Sequence, residues 1–422
     1  MNAQNGFEGK PAGADGPGLA AAGGTDAAVP GGRAAAGAIR RLASLARWFR
    51  FDARAYTMIG ALCLIWLFFT LMNERFLSPT NLSNLFLQMS VTAILAIGMT
   101  LVIVSGHIDL SVGSIVGLTG GVAAILNVWY DWNTGPVIAA AIGVGVAIGF
   151  LQGWIVAYKA VPAFIVTLGG MMLYRGILLG TTGSVTVAPL DPSLKSIGQA
   201  YLPYTAGWTL GFAVLIVYTV LVLAKRRARR KHGFQAEPAA VSLLRIAFVG
   251  ALALGFVFVM NSYKGIPVPF VMVIVLAILF SFITRNTTFG RQVYAIGGNP
   301  EAARLSGINI RMKTMFVFVL CNTLAAVAGL VLVARLNAAT MSAGSMYELD
   351  AIAACVIGGT SLAGGTGTIA GALVGALVMA SLDNGMSLMN MESFWQYIVK
   401  GAILVLAVYL DIASRNRKKK AG

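Results

Sequence analysis

Ionisable side chains are rare in this chain, and some of them lie inside or beside long apolar stretches. They are Asp109, Arg175, Glu348, Asp350, Asp383 and Lys400. If such stretches cross a membrane, a charged group within them is a candidate for function, because an isolated charge is unfavourable in lipid. Most of these groups lie near the ends of the stretches, where an opposite charge or the membrane interface is a simpler explanation.

A second set of polar side chains carries hydroxyl and amide groups rather than charge. A neutral solute such as a sugar is recognised by groups of this kind together with apolar surface. The candidate substrate path combines them with the first carboxylate: Ser105, Asp109, Ser111, Thr167, Asn322 and Asn384. Polar bonding between helices explains these residues equally well. Asp109 and Ser111 can also cap the helix that follows them.

The sequence has no arrangement typical of catalysis or metal binding. His107 and His232 are its only 2 histidines and lie far apart, and its 3 cysteines show no paired spacing. Neither a nucleophile beside a base nor a cluster of metal ligands is recognisable. We therefore predict that the chain is not an enzyme and binds no metal or other cofactor itself.

The segment 294–313, YAIGGNPEAARLSGINIRMK, has the chemistry of a short soluble helix with both ends marked. Asn299 is a good N-cap, and Pro300 suits the first helical position. Glu301 favours the first turn and can pair with Arg304 three residues later. Gly307 can adopt the left-handed conformation that ends a helix. The pattern predicts a helix from Pro300 to Ser306.

Such a short helix is not stable alone in water, so it must pack against the rest of the protein or against a partner. Ala302, Ala303 and Leu305 offer a small apolar surface for that packing, and Gly297 and Gly298 precede the cap. A simple capped connector between two membrane segments is the alternative interpretation.

The composition indicates which elements hold these residues. The chain has 422 residues, of which 58% are hydrophobic and 11% charged, whereas soluble domains carry about 25% charged residues. Apolar runs of about 20 residues are typical of membrane-spanning helices. We predict an all-α, polytopic transmembrane bundle with about twelve spans, near 55–73, 85–104, 111–130, 135–158, 162–182, 207–224, 246–263, 268–284, 314–334, 348–363, 367–385 and 394–410.

The positive charges test this map, because Lys and Arg favour cytoplasmic loops. With twelve crossings and a cytoplasmic N-terminus, most of the 31 basic residues fall on the cytoplasmic side, and the opposite side holds Arg75, Lys195, Lys264 and Arg335. Both basic termini are cytoplasmic only if the number of crossings is even. That parity favours a complete crossing at 348–363, although this short, polar run also suits a re-entrant half-helix.

The remaining segments complete the domain organisation. We predict a basic, disordered cytoplasmic leader (1–54), a transmembrane domain (55–410) and a basic cytoplasmic tail (411–422). Within the transmembrane domain, 225–245 forms a basic cytoplasmic loop and 285–313 contains the polar segment. The basic loop suits contact with anionic membrane lipid, and its membrane setting argues against a nucleic-acid role.

The polar segment also carries a family resemblance. EAARLSG (301–307) is similar to the EAA loop of ATP-binding-cassette (ABC) importer permeases. The wider sequence resembles the sugar-permease branch, which includes ribose and xylose permeases, and His107 departs from that branch's GGIDLSVG signature. The resemblance rests on FGRQVYAIGGNPEAARLSGI (289–308), SGHIDLSVGSIVGLTG (105–120), VPAFIVTLGGMMLYRG (161–176) and VIGGTSLAGGTGTIAGALVGAL (356–377).

The resemblance implies partners and a location. In this family the short cytoplasmic helix, here Pro300 to Ser306 within the coupling loop from Gly297 to Gly307, docks on a separate ATPase that binds ATP and Mg²⁺. A periplasmic sugar-binding protein and a second permease copy in a homodimer are also implied, in the bacterial inner membrane. No GxxxxGK[ST] phosphate loop occurs in this sequence, which agrees with a separate ATPase. Two extra apolar runs around the basic loop resemble the xylose-type members.

Other interpretations remain open at this stage. A permease of the same family for ribose, another sugar or a branched-chain amino acid would look similar. An ion-coupled secondary transporter would need an ionisable site near the middle of the membrane, whereas the charges here lie near the ends of the runs. A membrane-anchored regulator would leave the polar segment unexplained.

Overall fold

The computed structural model describes residues 53–233 and 238–421, and the described residues are all helical apart from loops and two isolated bridges. The helices are α1 (Ala53–Met72), α2 (Pro79–Val104), α3 (Val112–Val128), α4 (Thr134–Tyr158), α5 (Ala163–Thr182), α6 (Pro192–Gln199), α7 (Tyr204–Lys231), α8 (Ala239–Asn261), α9 (Val268–Asn286), α10 (Thr288–Gly298), α11 (Pro300–Leu305), α12 (Ile310–Leu336), α13 (Tyr347–Ile357), α14 (Ile369–Leu388) and α15 (Ser393–Ala421).

Many of these helices have the length and composition of membrane spans. Within the described residues, 9 helices are long and apolar enough to cross a membrane, and α3 and part of α1 are shorter apolar helices. Large apolar side chains cover the outer surfaces of α7 and α8, including Ile216 and Leu252. An apolar exterior suits contact with lipid, so the expectation of an all-α polytopic bundle is confirmed.

Helix α2 lies at the centre of the bundle and packs against α9, α12, α13 and α14. Its most apolar window is 94% buried, compared with 11% for α7. Helix α4 packs on α12 through the GxxxG positions, where Gly145, Gly149 and Gly153 face the backbone of Asn322, Phe318 and Met315. A side chain at these glycines would push the two helices apart.

Two parts of the chain have the same order of elements. In each, a long central helix is followed by an irregular linker, a shorter helix and two further helices: α2 to α5, and α12 to α15. The two parts interlock, because α4 packs on α12 and α14 packs on α2. The linkers 105–111 and 337–346 therefore each follow the long central helix of their own part.

The two ends of the bundle contain different elements and contacts. We call the end with α10 and α11 the α11 face. Gly365 donates its N–H to the carbonyl of Val104 at 2.9 Å there. At the opposite face, Val187 pairs with Ala339, and Leu202 donates its N–H to the carbonyl of Ile266.

Helix α13 differs from the complete helical span expected at 348–363. It covers 11 residues, which is about 16 Å of helix and roughly half of a bilayer core. Gly359 follows with a φ of 85°, a left-handed conformation that ends the helix. The half-helix interpretation describes α13 better than a full span does.

The expected loop at 225–245 is also mostly helical. Helix α7 continues to Lys231 and α8 begins at Ala239. Lys and Arg are good helix formers, and the first glycine after the apolar run is Gly233. The tail from 411 likewise continues α15, whereas the leader lies outside the described residues up to residue 52.

Candidate coupling segment and polar site

Helix α11 has the ends that its sequence specifies. The backbone N–H of Ala302 donates to Asn299 Oδ1 at 3.0 Å, which forms the N-cap. Arg304 pairs with Glu301 at 2.7 Å. Ser306 is the C-cap and Gly307 follows with a φ of 77°. The predicted short helix is therefore confirmed, with its last helical residue at Leu305.

One side of α11 is anchored and the other faces solvent. Ala303 is 4% exposed, whereas Leu305 is 79% exposed. The paired side chains of Glu301 and Arg304 are also largely exposed. An exposed leucine at the end of a six-residue helix contributes little to folding of the single chain. This surface is therefore available to a partner.

Helix α10 joins the candidate coupling segment, residues 294–313, to the bundle. A side chain at Gly297 would collide with the carbonyl of Val104 and the N–H of Gly365, whereas Gly298 has open space at the same atom position. Tyr294 donates its hydroxyl to the carbonyl of Gly367 at 2.7 Å, and burial raises the pKa of this phenol. The segment is thus in contact with the end of α2 and with the loop before α14.

The linker 105–111 leads from that contact into the bundle. Ser105 donates its hydroxyl to the carbonyl of Val102 at 2.8 Å, so it helps to end α2. Asp109 is fully buried, and its Oδ1 accepts the N–H and the hydroxyl of Ser111 at 2.8 and 2.6 Å. These bonds hold Ser111 at the N-cap position of α3, where its side chain makes no capping bond to the helix.

A buried polar network extends from this point. Gln152 Nε2 donates to the Ser111 hydroxyl at 3.0 Å, and Asn322 Nδ2 donates to Gln152 Oε1 at 2.9 Å. Asp109 Oδ2 and Asn322 Oδ1 are buried without a hydrogen-bond partner among the described residues. The network joins the linker to α3, α4 and α12, and it leaves two acceptor atoms unsatisfied.

The candidate path residues do not form one cluster. Asp109, Ser111 and Asn322 lie together, and Thr167 adjoins them through a long bond to the carbonyl of Ile108 at 3.4 Å. Asn384 instead exchanges amide bonds with Asn81 at 2.8 and 2.9 Å. Ser105 and Asn384 therefore have structural bonds elsewhere in the bundle.

A small cavity of about 220 Å³ lies between α3, α5 and the start of α13. Arg175 donates to the carbonyl of Met341 at 2.8 Å and to the Ser345 hydroxyl at 2.7 Å, which fixes the irregular linker before α13. Glu348 and Ser114 lie on the same cavity. The cavity is open to the surface of the chain and combines charged, hydroxyl and methionine side chains.

Sequence reasoning did not include Gln152, Ser114 or Ser345 in the candidate path. The available signal was the presence of polar side chains in or beside apolar runs.

Three ionisable groups of the apolar runs form ion pairs with one another: Lys400 lies 3.0 Å from Asp350 and 2.9 Å from Asp383. These pairs join α13, α14 and α15.

Comparisons with known proteins place this geometry in a family. Residues 81–408 match the family described as "Branched-chain amino acid transport system / permease component". The chain is 48% identical over 367 residues to the xylose transport system permease protein XylH of Escherichia coli K12, covering 87% of this chain and 93% of that protein.

Two further relatives extend the comparison. The Haemophilus influenzae XylH is 47% identical over 369 residues, covering 87% of this chain and 98% of that protein. The ribose import permease protein RbsC of Escherichia coli K12 is 38% identical over 356 residues, covering 84% of this chain and 92% of that protein. No solved structure matches the chain.

Proposed function

The chain belongs to the family of branched-chain amino acid transport system permease components, and we propose that it is the membrane subunit of an ABC importer for D-xylose. As a permease it is a transport subunit rather than an enzyme. The observation that carries the proposal is its 48% identity to the xylose permease over 87% of the chain. The ribose permease is less similar, at 38%.

We propose twelve crossings, with both termini in the cytoplasm and the α11 face cytoplasmic, in a bacterial inner membrane. The linker that follows α12 supports this topology. Ala339 pairs with Val187 at the opposite face, and the loop after α13 reaches Val104 at the α11 face. An irregular stretch and the half-helix α13 thus complete one crossing together, as irregular backbone can when protein surrounds it.

Three partners follow from this proposal. A separate ATPase, which binds ATP and Mg²⁺, docks on the exposed surface of α11. A periplasmic sugar-binding protein delivers the sugar at the opposite face. A second copy of the chain covers the cavity between α3, α5 and α13, because an opening that holds Arg175 and Glu348 beside exposed Met172 is unsuited to lipid.

Contiguous contacts support a transmission route from the ATPase to the membrane interior. Displacement of α11 moves α10, which is packed against Val104 through Gly297. Val104 continues into the linker that holds Asp109, and Asp109 holds Ser111 at the N-cap position of α3. Helix α3 borders the cavity at Ser114. ATP-driven motion at α11 thereby changes the shape of the polar interior.

Co-purification and competition test this proposal. The full chain is expressed with candidate ATPases, and the complex is reconstituted into vesicles with a xylose-binding protein. We expect ATP-dependent uptake of labelled xylose that unlabelled xylose suppresses and excess ribose or leucine does not. Uptake of ribose or leucine in preference to xylose would contradict the assignment of xylose.

A further inference from the structure

A cavity of about 240 Å³ lies between α7 and α8 at the α11 face. It is separate from the polar site and from the coupling segment. Lys225, Arg226 and Arg229 reach it from α7, and Ser242 and Arg245 reach it from α8. Cationic side chains that lie close together around one cavity favour a bound anion.

Lys225 and Arg226 have no acidic partner among the described residues. Arg229 and Arg245 take part in other interactions within the chain, which leaves Lys225 and Arg226 for a ligand. The Nε of Arg226 is buried and has no hydrogen-bond partner in the part of the chain that the structure describes. A guanidinium suits the oxygens of a phosphate group, with which it can form two parallel bonds.

Ser242 adds a second, independent indication of a ligand. Its side chain lines the cavity, is 3% exposed, and has a hydroxyl without a hydrogen-bond partner in residues 53–233 and 238–421. A buried hydroxyl without a partner is unfavourable, and an oxygen of a bound anion would accept its hydrogen bond. Donors on two helices thus converge on one cavity.

The other wall of the cavity is apolar. Tyr218, Leu221 and Val222 line it one helical turn further into the apolar part of α7. Leu221 is 62% exposed on the outer surface of the bundle. A ligand that fits both walls has an anionic head and an apolar chain.

We propose that this cavity binds the phosphate headgroup of an anionic phospholipid, with an acyl chain lying along α7. Lys225 and Arg226 neutralise the phosphate, Ser242 donates a hydrogen bond to it, and Leu221 contacts the chain. The site lies where the basic end of α7 meets the membrane surface. Basic residues at this depth attract anionic lipid.

Native mass spectrometry of the purified full chain in detergent tests the proposal. The protein is titrated with phosphatidylglycerol, phosphatidylethanolamine or inorganic phosphate. We expect one phosphatidylglycerol molecule to remain bound at the highest affinity. Lys225→Gln with Arg226→Gln should weaken that binding by at least about tenfold, because each basic residue near the membrane surface contributes to lipid affinity.

A matched control removes the same charge outside the cavity. Arg227 and Arg230 are exposed on the same helix and do not line the cavity, so Arg227→Gln with Arg230→Gln should leave the tightest binding nearly unchanged. Ser242→Ala, which keeps every charge, should weaken binding as well.

Three results would overturn the lipid site. Equal losses in the cavity variant and the control would show general charge attraction. Equal retention of phosphatidylethanolamine would show that anionic charge is not recognised. Tight binding of inorganic phosphate that displaces the lipid would identify a soluble phosphate as the ligand instead.

Discussion

At the residue scale, the absence of a side chain at Gly297 lets the candidate coupling segment pack closely against the bundle. Gly297 permits the carbonyl of Val104 to approach the backbone of α10, and Gly298 beside it has open space. Neighbouring glycines therefore have different roles that the sequence GG does not distinguish. The difference becomes visible only when α2 and the loop before α14 are in place.

Gly297→Ala should destabilise the protein by about 1–3 kcal/mol, because the added methyl group forces packed backbone apart. ATP-driven uptake should fall with it, since α10 is displaced from Val104. Thermal unfolding in detergent and vesicle uptake measure the two effects. Gly298→Ala is the matched control and should behave like the wild type; equal loss in both variants would contradict the role of the Gly297 contact.

Asp109→Asn should be tolerated better than Asp109→Ala. The asparagine keeps an acceptor for the two bonds from Ser111. Alanine leaves the buried N–H of Ser111 unpaired, at about 1–3 kcal/mol, and its hydroxyl keeps only the bonds to Gln152. A thermal unfolding series should give a Tm for Asp109→Ala well below that of Asp109→Asn. Equal Tm values would indicate that the network contributes nothing to stability.

At the element scale, sequence reasoning succeeded where the determinants are local. The ends of α11 follow from Asn299, Pro300 and Gly307, all within a few residues of the helix. The short length of α13 and the continuation of α7 to Lys231 were not predicted. Apolar content marks a membrane segment, but packing against distant helices determines where the helix ends.

The buried polar network of Ser111, Gln152 and Asn322 likewise depends on distant contacts that the sequence does not reveal. The bonds of Ser111 to Gln152 and of Gln152 to Asn322 join residues 41 and 170 positions apart. No local pattern specifies such pairs, so sequence reasoning grouped polar residues that the fold separates. Asn384 was placed on the path for its amide, which the structure shows bonded to Asn81.

The exposed surface of α11 should bind the ATPase. Leu305→Gln removes an apolar contact that the single chain leaves in solvent, so ATPase co-purification should weaken by about tenfold or more without a change in Tm. Leu77→Gln, at an apolar residue that is 45% exposed near the opposite face, is the control. Undiminished ATPase binding by Leu305→Gln would argue against docking at α11.

The ion pairs of Lys400 should hold α15 against α13 and α14. Lys400→Met leaves the buried Asp350 and the half-buried Asp383 without their partner and should destabilise the protein by about 3–5 kcal/mol. Thermal unfolding measures the loss. Adding Asp350→Asn and Asp383→Asn should restore much of the stability, and a single variant as stable as the wild type would show that the pairs are not stabilising.

At the scale of the whole molecule, the lengths of the apolar runs predicted more of the fold than any local motif did. The 31 basic residues fall mostly in segments that the topology assigns to one side, and the all-helical bundle agrees with the apolar runs. The interlocking of α2 to α5 with α12 to α15 was not predicted, because the two parts share an order of elements rather than an obvious sequence repeat.

The central claim is that this chain carries xylose across the membrane under the control of an ATPase that acts on α11. Its most direct test is xylose uptake into vesicles that contain the chain, its ATPase and the loaded binding protein. We predict uptake that requires ATP, persists when the proton gradient is dissipated, and is lost in Gly307→Val while the binding protein still captures xylose. Uptake that proceeds without ATP, collapses with the proton gradient, or is normal in Gly307→Val would contradict the claim.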